Sequence, residues 1–278
     1  MPLEDDLSDI LKKARHGQGL SVMDVTRITG LPHDDVTAIE RGNPPRNRAD
    51  LRALAQALNL RAPALEQIAF DHWEPVAQQP PAWVDIIHGS INGYGVQGYI
   101  VHDERDAVVI DTGYNAPAIV QTLSRRGLSL IGICLTHGHT DHADGIDRLL
   151  RHREVPVYLG AGDAELLSWH PPAGVLAIPG DGQEIMVGHR SVRCMPTPGH
   201  TPGGVCYRVD DPEHPMCFVG DTLFAGSIGR SNPTGLYQTH LDAVRSRVLT
   251  LPPGYRLMPG HGPATTVEEE RDHNPFYA

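Results

Sequence analysis

The sequence predicts an α+β chain in which a small all-α segment precedes a larger core of sheets covered by helices. Three observations carry that reading. In residues 1 to about 70, apolar side chains recur at helical spacing. From about Val84 onward, short apolar runs bounded by turn residues are interleaved with helical patterns and many glycines. Between the two, "DHWEPVAQQPPAW" carries Pro75, Pro80 and Pro81 and almost no periodicity, so it reads as a linker. The expected boundaries are 1–70, 71–83 and 84–278.

Leu7, Ile10, Leu11 and Ala14 mark the first helix, Val22, Val25 and Ile28 the second, and Val36 and Ile39 the third. Ser21 is a good N-cap, and Asp24 three residues on makes an imperfect capping box with Asp in place of Glu. Gly30 ends the second helix and Gly42 closes the third. "RADLRALAQALNL" supplies a fourth amphipathic helix and "APALEQIAF" a fifth. Beyond the linker, "GYIVHDERDAVVIDTG" reads as two strands joined by a charged turn. "APAIVQTLSRRG" follows as a helix, "LIGICLTH" as a buried strand and "ADGIDRLLRHR" as a helix.

Composition narrows the function. A chain of 278 residues with 40% hydrophobic content can hold one large domain, or a medium domain and a small one. No apolar run reaches about 18 residues, and "MPLEDDLSDILKK" has no signal-peptide pattern, so neither a membrane span nor export is expected. Cys134, Cys194, Cys206 and Cys217 lie far apart without a C-x-x-C pair, which fits reduced thiols in a cytoplasm. A net charge of −11 argues against nucleic acid or anionic membrane as a partner of the whole molecule.

The chemistry concentrates in "LTHGHTDHADG", where His137, His139, Asp141 and His142 fall within six positions. So many polar side chains cannot enter an apolar core unpartnered. Either the stretch is a wet loop or cations hold it together. His137 and His139, two apart after a strand, can point the same way, while Asp141 and His142 fall where the next helix begins and can turn to a second centre. Three further candidates sit in tight Gly/Pro turns after apolar runs: His200 in "TPTPGHTPGG", Asp221 in "CFVGDTLFAGS" and His261 in "LMPGHGP". Each should lie at a strand's end on one rim. The remaining histidines, His240 among them, match no motif and are expected to be solvated or capping.

H-x-H-x-D-H, G-H-T-P-G, G-D-T-L-F and G-H-G occur in that order, and with them residues 84–278 resemble the metallo-β-lactamase superfamily. The resemblance implies an αββα sandwich with metals at one edge of the sheets. It implies that His137, His139 and His200 hold one ion, that Asp141, His142 and His261 hold a second, and that Asp221 bridges both. Asp111 in "VVIDTG" matches the aspartate that orients a ligand histidine.

Asp221 at the bridging position, the 40 positions from there to His261, and His139 together make the glyoxalase II-like hydrolases the nearest branch. That resemblance implies hydrolysis of a small-molecule thioester or ester by a metal-bound hydroxide, with Asp221 or Asp141 taking up the proton. The expected cofactor is two divalent ions, zinc first and a zinc/iron pair second. Arg230 and Asn232 are the candidate substrate-binding residues, Arg230 being retained and suited to a substrate carboxylate, with a structural salt bridge as its other reading. Pro263 replaces that group's tyrosine and Asn232 its aromatic residue, so glutathione recognition does not follow. A second reading is a persulfide dioxygenase with one Fe(II) on His137, His200 and Asp221. Its last motif usually reads G-H-D-Y, against "GHGP" here, which favours the hydrolase.

"LKKARHGQGLSVMDVTRITGLPHDDVTAIERG" is similar to the helix-turn-helix of Cro/CI-type repressors. The resemblance implies a recognition helix at about Pro32–Glu40 and, as a third reading, a metal- or ligand-responsive transcription regulator. That helix leads with His33, Asp34 and Asp35, and the segment to Glu74 carries 9 Lys/Arg against 12 Asp/Glu. DNA is therefore the less favoured partner, and dimerisation or cover for the active-site mouth the favoured role.

Overall fold

Five short helices open the chain: α1 (Leu7–Gly17), α2 (Val22–Thr29), α3 (His33–Ile39), α4 (Arg48–Ala57) and α5 (Ala62–Phe70). The computed structural model describes residues 1–277. Asp6 starts α1 by accepting from the amides of Ser8 and Asp9, and Asn47 starts α4 through the amide of Asp50. Ser21 and Asp24 form a complete capping box on α2, so aspartate reaches as far as the site needs. Gly30 ends α2 at φ +73°, a left-handed conformation that glycine adopts freely.

Two six-stranded sheets follow. The first holds β1 (Val84–Ile91), β2 (Tyr94–Asp103), β3 (Asp106–Ile110), β4 (Ser129–Cys134), β5 (Val157–Tyr158) and β6 (Leu176–Ala177), side by side in chain order. Helix α6 (Ala116–Arg126) joins β3 to β4, which pair in parallel. The helix expected over "ADGIDRLLRHR" is split into a single turn, α7 (Thr140–Ala143), and α8 (Ile146–His152). Gly145 makes the break at φ +81°, and a side chain there would meet Ala116 Cβ at 2.6 Å. The cause lies on α6, outside the stretch itself. The second sheet holds β7 (Glu184–Val187), β8 (Arg190–Pro196), β9 (Val205–Val209), β10 (Met216–Gly220), β11 (Arg256–Pro259) and β12 (Thr265–Thr266), again in sequence order. Helix α9 (Tyr237–Ala243) lies on the path from β10 to the parallel β11, and α10 (Val267–His273) follows β12.

Period-2 alternation builds the sandwich. Tyr99, Val101, Val108 and Ile110 of the first sheet share a cluster with Val205, Tyr207, Met216 and Phe218 of the second. Their chain neighbours Ile100, Ala107 and Val109 face the other way, onto Ile119 and Leu123 of α6 and Leu149 of α8. On the far side, Cys206, Cys217 and Val219 join a third cluster that contains Ile10, Leu11, Leu54, Leu65, Tyr237 and Val244. The molecule is thus an αββα sandwich, and α1 to α5 share the core of its second helical layer. Polar contacts accompany the burial. The Arg61 amide donates to the Pro275 carbonyl at 2.7 Å, and Trp73 stacks on His273 at 4.8 Å between ring centres.

Among the described residues, no helix is long and apolar enough to cross a membrane. The cations of the helical segment are also committed internally. Lys12, Lys13, Arg15, Arg27, Arg46, Arg48 and Arg52 each contact a carboxylate of the same segment, seven of its nine.

Glu270 on α10 is fully buried and accepts from the Gly226 amide, the Thr265 hydroxyl and the Asn274 side chain. Burial outweighs these donors and pushes its pKa up to about 8 from the usual 4.5. A folded pKa above the unfolded one stabilises the fold below the unfolded value, and that stability drains away as pH rises through the folded value. Urea unfolding of the metal-stripped protein should therefore show a midpoint that falls between pH of about 5 and about 9. Glu270→Gln should lessen the fall, and a profile that this substitution leaves unchanged contradicts the burial argument.

Candidate metal centre

Every motif residue follows the end of a strand. Asp111 comes after β3, the His137–His142 loop after β4, His200 after β8, Asp221 after β10 and His261 after β11. β3 and β4 run in parallel, as do β10 and β11, so their C-terminal ends open on one rim.

The structure brings the seven candidate ligands together. Ligand atoms of His137, His139 and His200 lie within 4.8 Å of one another, as do those of His142, Asp221 and His261, and those of His137, Asp141 and His142. Asp221 joins the groups. Its Oδ1 is 3.2 Å from His142 Nε2, and its Oδ2 is 3.7 Å from Nε2 of both His200 and His261. Asp141 Oδ2 reaches His261 Nε2 at 3.2 Å. Gly260 permits this convergence, because a Cβ there would come within 2.3 Å of the His142 ring and 2.6 Å of Asp221 Oδ1.

The outer ring nitrogens are tied back. His200 Nδ1–H donates to the Arg230 carbonyl and His261 Nδ1–H to the Gly95 carbonyl, each at 2.7 Å. His142 Nδ1–H donates to Asp111 Oδ2 at 2.9 Å. Asp111 also accepts from the amide and hydroxyl of Thr136, at 2.7 and 2.6 Å. With its proton spent on Asp111, the Thr136 hydroxyl accepts from His137 Nδ1–H at 3.1 Å. Asp111 holds this position at φ +54°, which aspartate tolerates better than bulkier residues.

This donor set fits cations. His137 Nε2 is buried without a hydrogen-bond partner among the described residues. His142 Nε2 and His261 Nε2 face each other at 3.4 Å although both rings have committed a proton elsewhere. Two ring nitrogens at such a distance call for a positive charge between them, a proton while the rings are ion-free or a metal ion that replaces it. Burial drives the His137 pKa well down and that of His200 to about 3, so both rings are neutral, as ligation requires. Burial would lower His142 and His261 too, but Asp221 overturns it in both rings, helped by Asp111 at His142 and by Asp141 at His261, which rises to about 9. Asp221 is held well below the usual carboxylate range, its burial outweighed by His142 and His261.

The family profile for the metallo-beta-lactamase superfamily matches residues 91–261. The chain belongs to the metallo-β-lactamase superfamily. It is similar to the Probable metallo-hydrolase YqgX of Bacillus subtilis, 34% identical over 194 residues that cover 64% of this chain and 90% of that one. It is 30% identical over 190 residues to the Hydroxyacylglutathione hydrolase GloC of Haemophilus influenzae, covering 63% and 88%. The solved structure of TTHA1623 in a di-iron-bound form superposes with a TM-score of 0.57 at 30% identity, covering 68% of this chain and 99% of that one.

Arg230 and Asn232 sit beside this centre in a different way. The Arg230 guanidinium is exposed and makes no salt bridge among the described residues, so the structural ion pair weighed for it is absent. Asn232 is exposed too, and its amide donates to the His200 carbonyl at 2.9 Å.

Two residues do comparable work without a motif to announce them. Asp163 is fully buried and accepts from the amides of Gly138 and Gly203, at 3.0 and 2.7 Å, and from the Thr201 hydroxyl at 2.7 Å. It braces the His137–His142 loop against the His200 loop. His240, expected to be solvated or capping, is instead fully buried on α9. Its Nε2–H donates to the Thr222 carbonyl at 2.7 Å, and its Nδ1 lies 3.1 Å from the Ser231 hydroxyl, so it ties the two ends of the loop after Asp221. Tyr237, His240 and Val244 form one helical stripe, and that spacing is the signal that places the ring inside.

Proposed function

We propose that this chain is a binuclear metallohydrolase that cleaves a small-molecule thioester or ester, in the manner of the glyoxalase II-like branch. The observation that carries the proposal is the pair of ligand triads that meet at Asp221. In this reading His137, His139 and His200 hold one ion, Asp141, His142 and His261 hold the other, and Asp221 spans both. Two divalent ions, zinc or zinc with iron, would supply a nucleophile from water at neutral pH and polarise a carbonyl. The chain's own groups then divide the remaining work. Asp111, Thr136 and the carbonyls of Gly95 and Arg230 keep the imidazoles aimed inward. Asp141 is the more open carboxylate, with 24% of its side chain exposed against 10% for Asp221, so it is the better placed to exchange a proton with solvent. The unpaired Arg230 offers a two-pronged donor to a substrate carboxylate.

GloC is named as a hydroxyacylglutathione hydrolase, and TTHA1623 was solved in a di-iron-bound form. Both names support the reading. A regulator that reads DNA is supported less, because a DNA surface needs free cations and this segment's are nearly all paired. The test is a count of ions per chain on protein purified without added metal, followed by a thioester screen. About two ions with thioester turnover is the expected result. One iron per chain, with oxygen consumed on a persulfide, moves the assignment to the dioxygenase.

A further inference from the structure

We propose that Lys13, together with Asp5, positions the metal centre from the helical segment. The two clamp the Leu223–Arg230 loop and so set the orientation of His200. Lys13 on α1 is nearly buried, 9% exposed, and its ammonium donates to the Ile228 carbonyl at 2.8 Å. It also contacts the Asp5 carboxylate, which accepts from the buried Ser227 hydroxyl at 2.5 Å. Its ammonium lies 4.9 Å from the centre of the Phe224 ring, and that ring meets the His261 ring edge-to-face at 5.9 Å.

Every one of these contacts lands on a short stretch between two parts of the metal centre. Asp221 begins it, and the Arg230 carbonyl that holds His200 Nδ1 ends it. The stretch cannot take up strain elsewhere. Gly229 is pressed against the Asp221 carbonyl so closely that a Cβ would lie 1.9 Å away, and α10 holds the other side through Asn274 on the Ser227 carbonyl at 3.0 Å. If the clamp is removed from one side, the Arg230 carbonyl and the ring it aims move together.

A nearly buried cation used only as glue between segments is poor economy, since a well-packed apolar pair of similar volume is often as stable. Its position, two residues from the carbonyl that aims a ligand, gives it a use that glue would lack. Lys13 touches neither ion nor substrate in this reading and acts only through the loop.

The turnover arm of the test rests on the hydrolase reading above, whereas the zinc arm does not. Zinc affinity is measured on the full chain by competition with a chromophoric chelator, and kcat and KM on a thioester. Lys13→Met is expected to weaken zinc binding by about tenfold and to lower kcat by a similar factor with KM little changed. Lys13→Arg should restore most of both. Lys12→Met, which removes the half-buried partner of Asp9 one residue away, should change neither. A Lys13→Met protein that melts earlier but binds zinc as tightly as the parent overturns the proposal. If that variant does not fold, because Asp5 is left as an unpaired buried charge, Ser227→Ala takes its place with an expected loss of about threefold in zinc affinity. Unchanged affinity there overturns the proposal as well. A parent chain that binds two zinc ions but cleaves no thioester tells against the hydrolase reading and leaves the zinc arm to decide this one.

Discussion

Asp221→Ala is expected to abolish turnover and, on the binuclear assignment proposed above, to lower the metal content of the purified protein from about two ions to fewer than one. Asp221 is the group that approaches His142, His200 and His261 at once, at 3.2, 3.7 and 3.7 Å. On that assignment alanine would remove a ligand from both ions and also the negative charge that lets buried imidazoles crowd together. Two ions supply several kcal/mol of charge stabilisation in such reactions, so a loss on the order of 10³-fold in kcat is the scale to look for. Elemental analysis alongside the assay separates the cases. Near-normal activity with full metal would sink the bridging assignment.

Deleting residues 1–75 is expected to leave a catalytic segment that is insoluble or molten. The loss is not of a tethered accessory. Ile10, Leu11, Ala14, Leu51, Leu54, Leu58 and Leu65 are all buried within the cluster that holds Leu223, Ile228, Tyr237, Val244 and Leu257. Stripping that cover would expose a contiguous apolar face, which soluble proteins rarely leave bare. The losses, at about 1.5–3 kcal/mol for each large side chain left without its partner, would exceed the 5–15 kcal/mol by which domains are usually stable. The check is soluble yield, dye binding and the cooperativity of thermal unfolding. A truncated protein that stays soluble and melts sharply near the temperature of the full chain would show the segment to be dispensable for folding.

The sequence was most legible where short-range rules suffice. Motif residues at the ends of apolar runs turned up at strand ends, because a strand of alternating side chains must finish in a turn and Gly/Pro turns allow close approach. The helix start at Ser21 obeyed local capping. What escaped depends on partners far along the chain. The break at Gly145 is set by Ala116 on another helix. Asp163 and His240 work through Gly138, Thr201, Gly203, Thr222 and Ser231, and no local pattern links those positions. The helical segment showed its apolar stripes plainly, yet periodicity says only that a face is buried and never against what. Its likeness to a repressor pointed outward to DNA, while the cations that such a role needs turn out to neutralise its own carboxylates.

The rim on which both sheets end has a mechanical side. The lobe formed by the first sheet brings His137, His139, Asp141 and His142 to it, and the lobe formed by the second brings His200, Asp221 and His261. Neither lobe can complete either triad of the proposed assignment alone, so ions bound there would act as rivets across a seam. Ligand affinity then adds directly to the cohesion of the lobes.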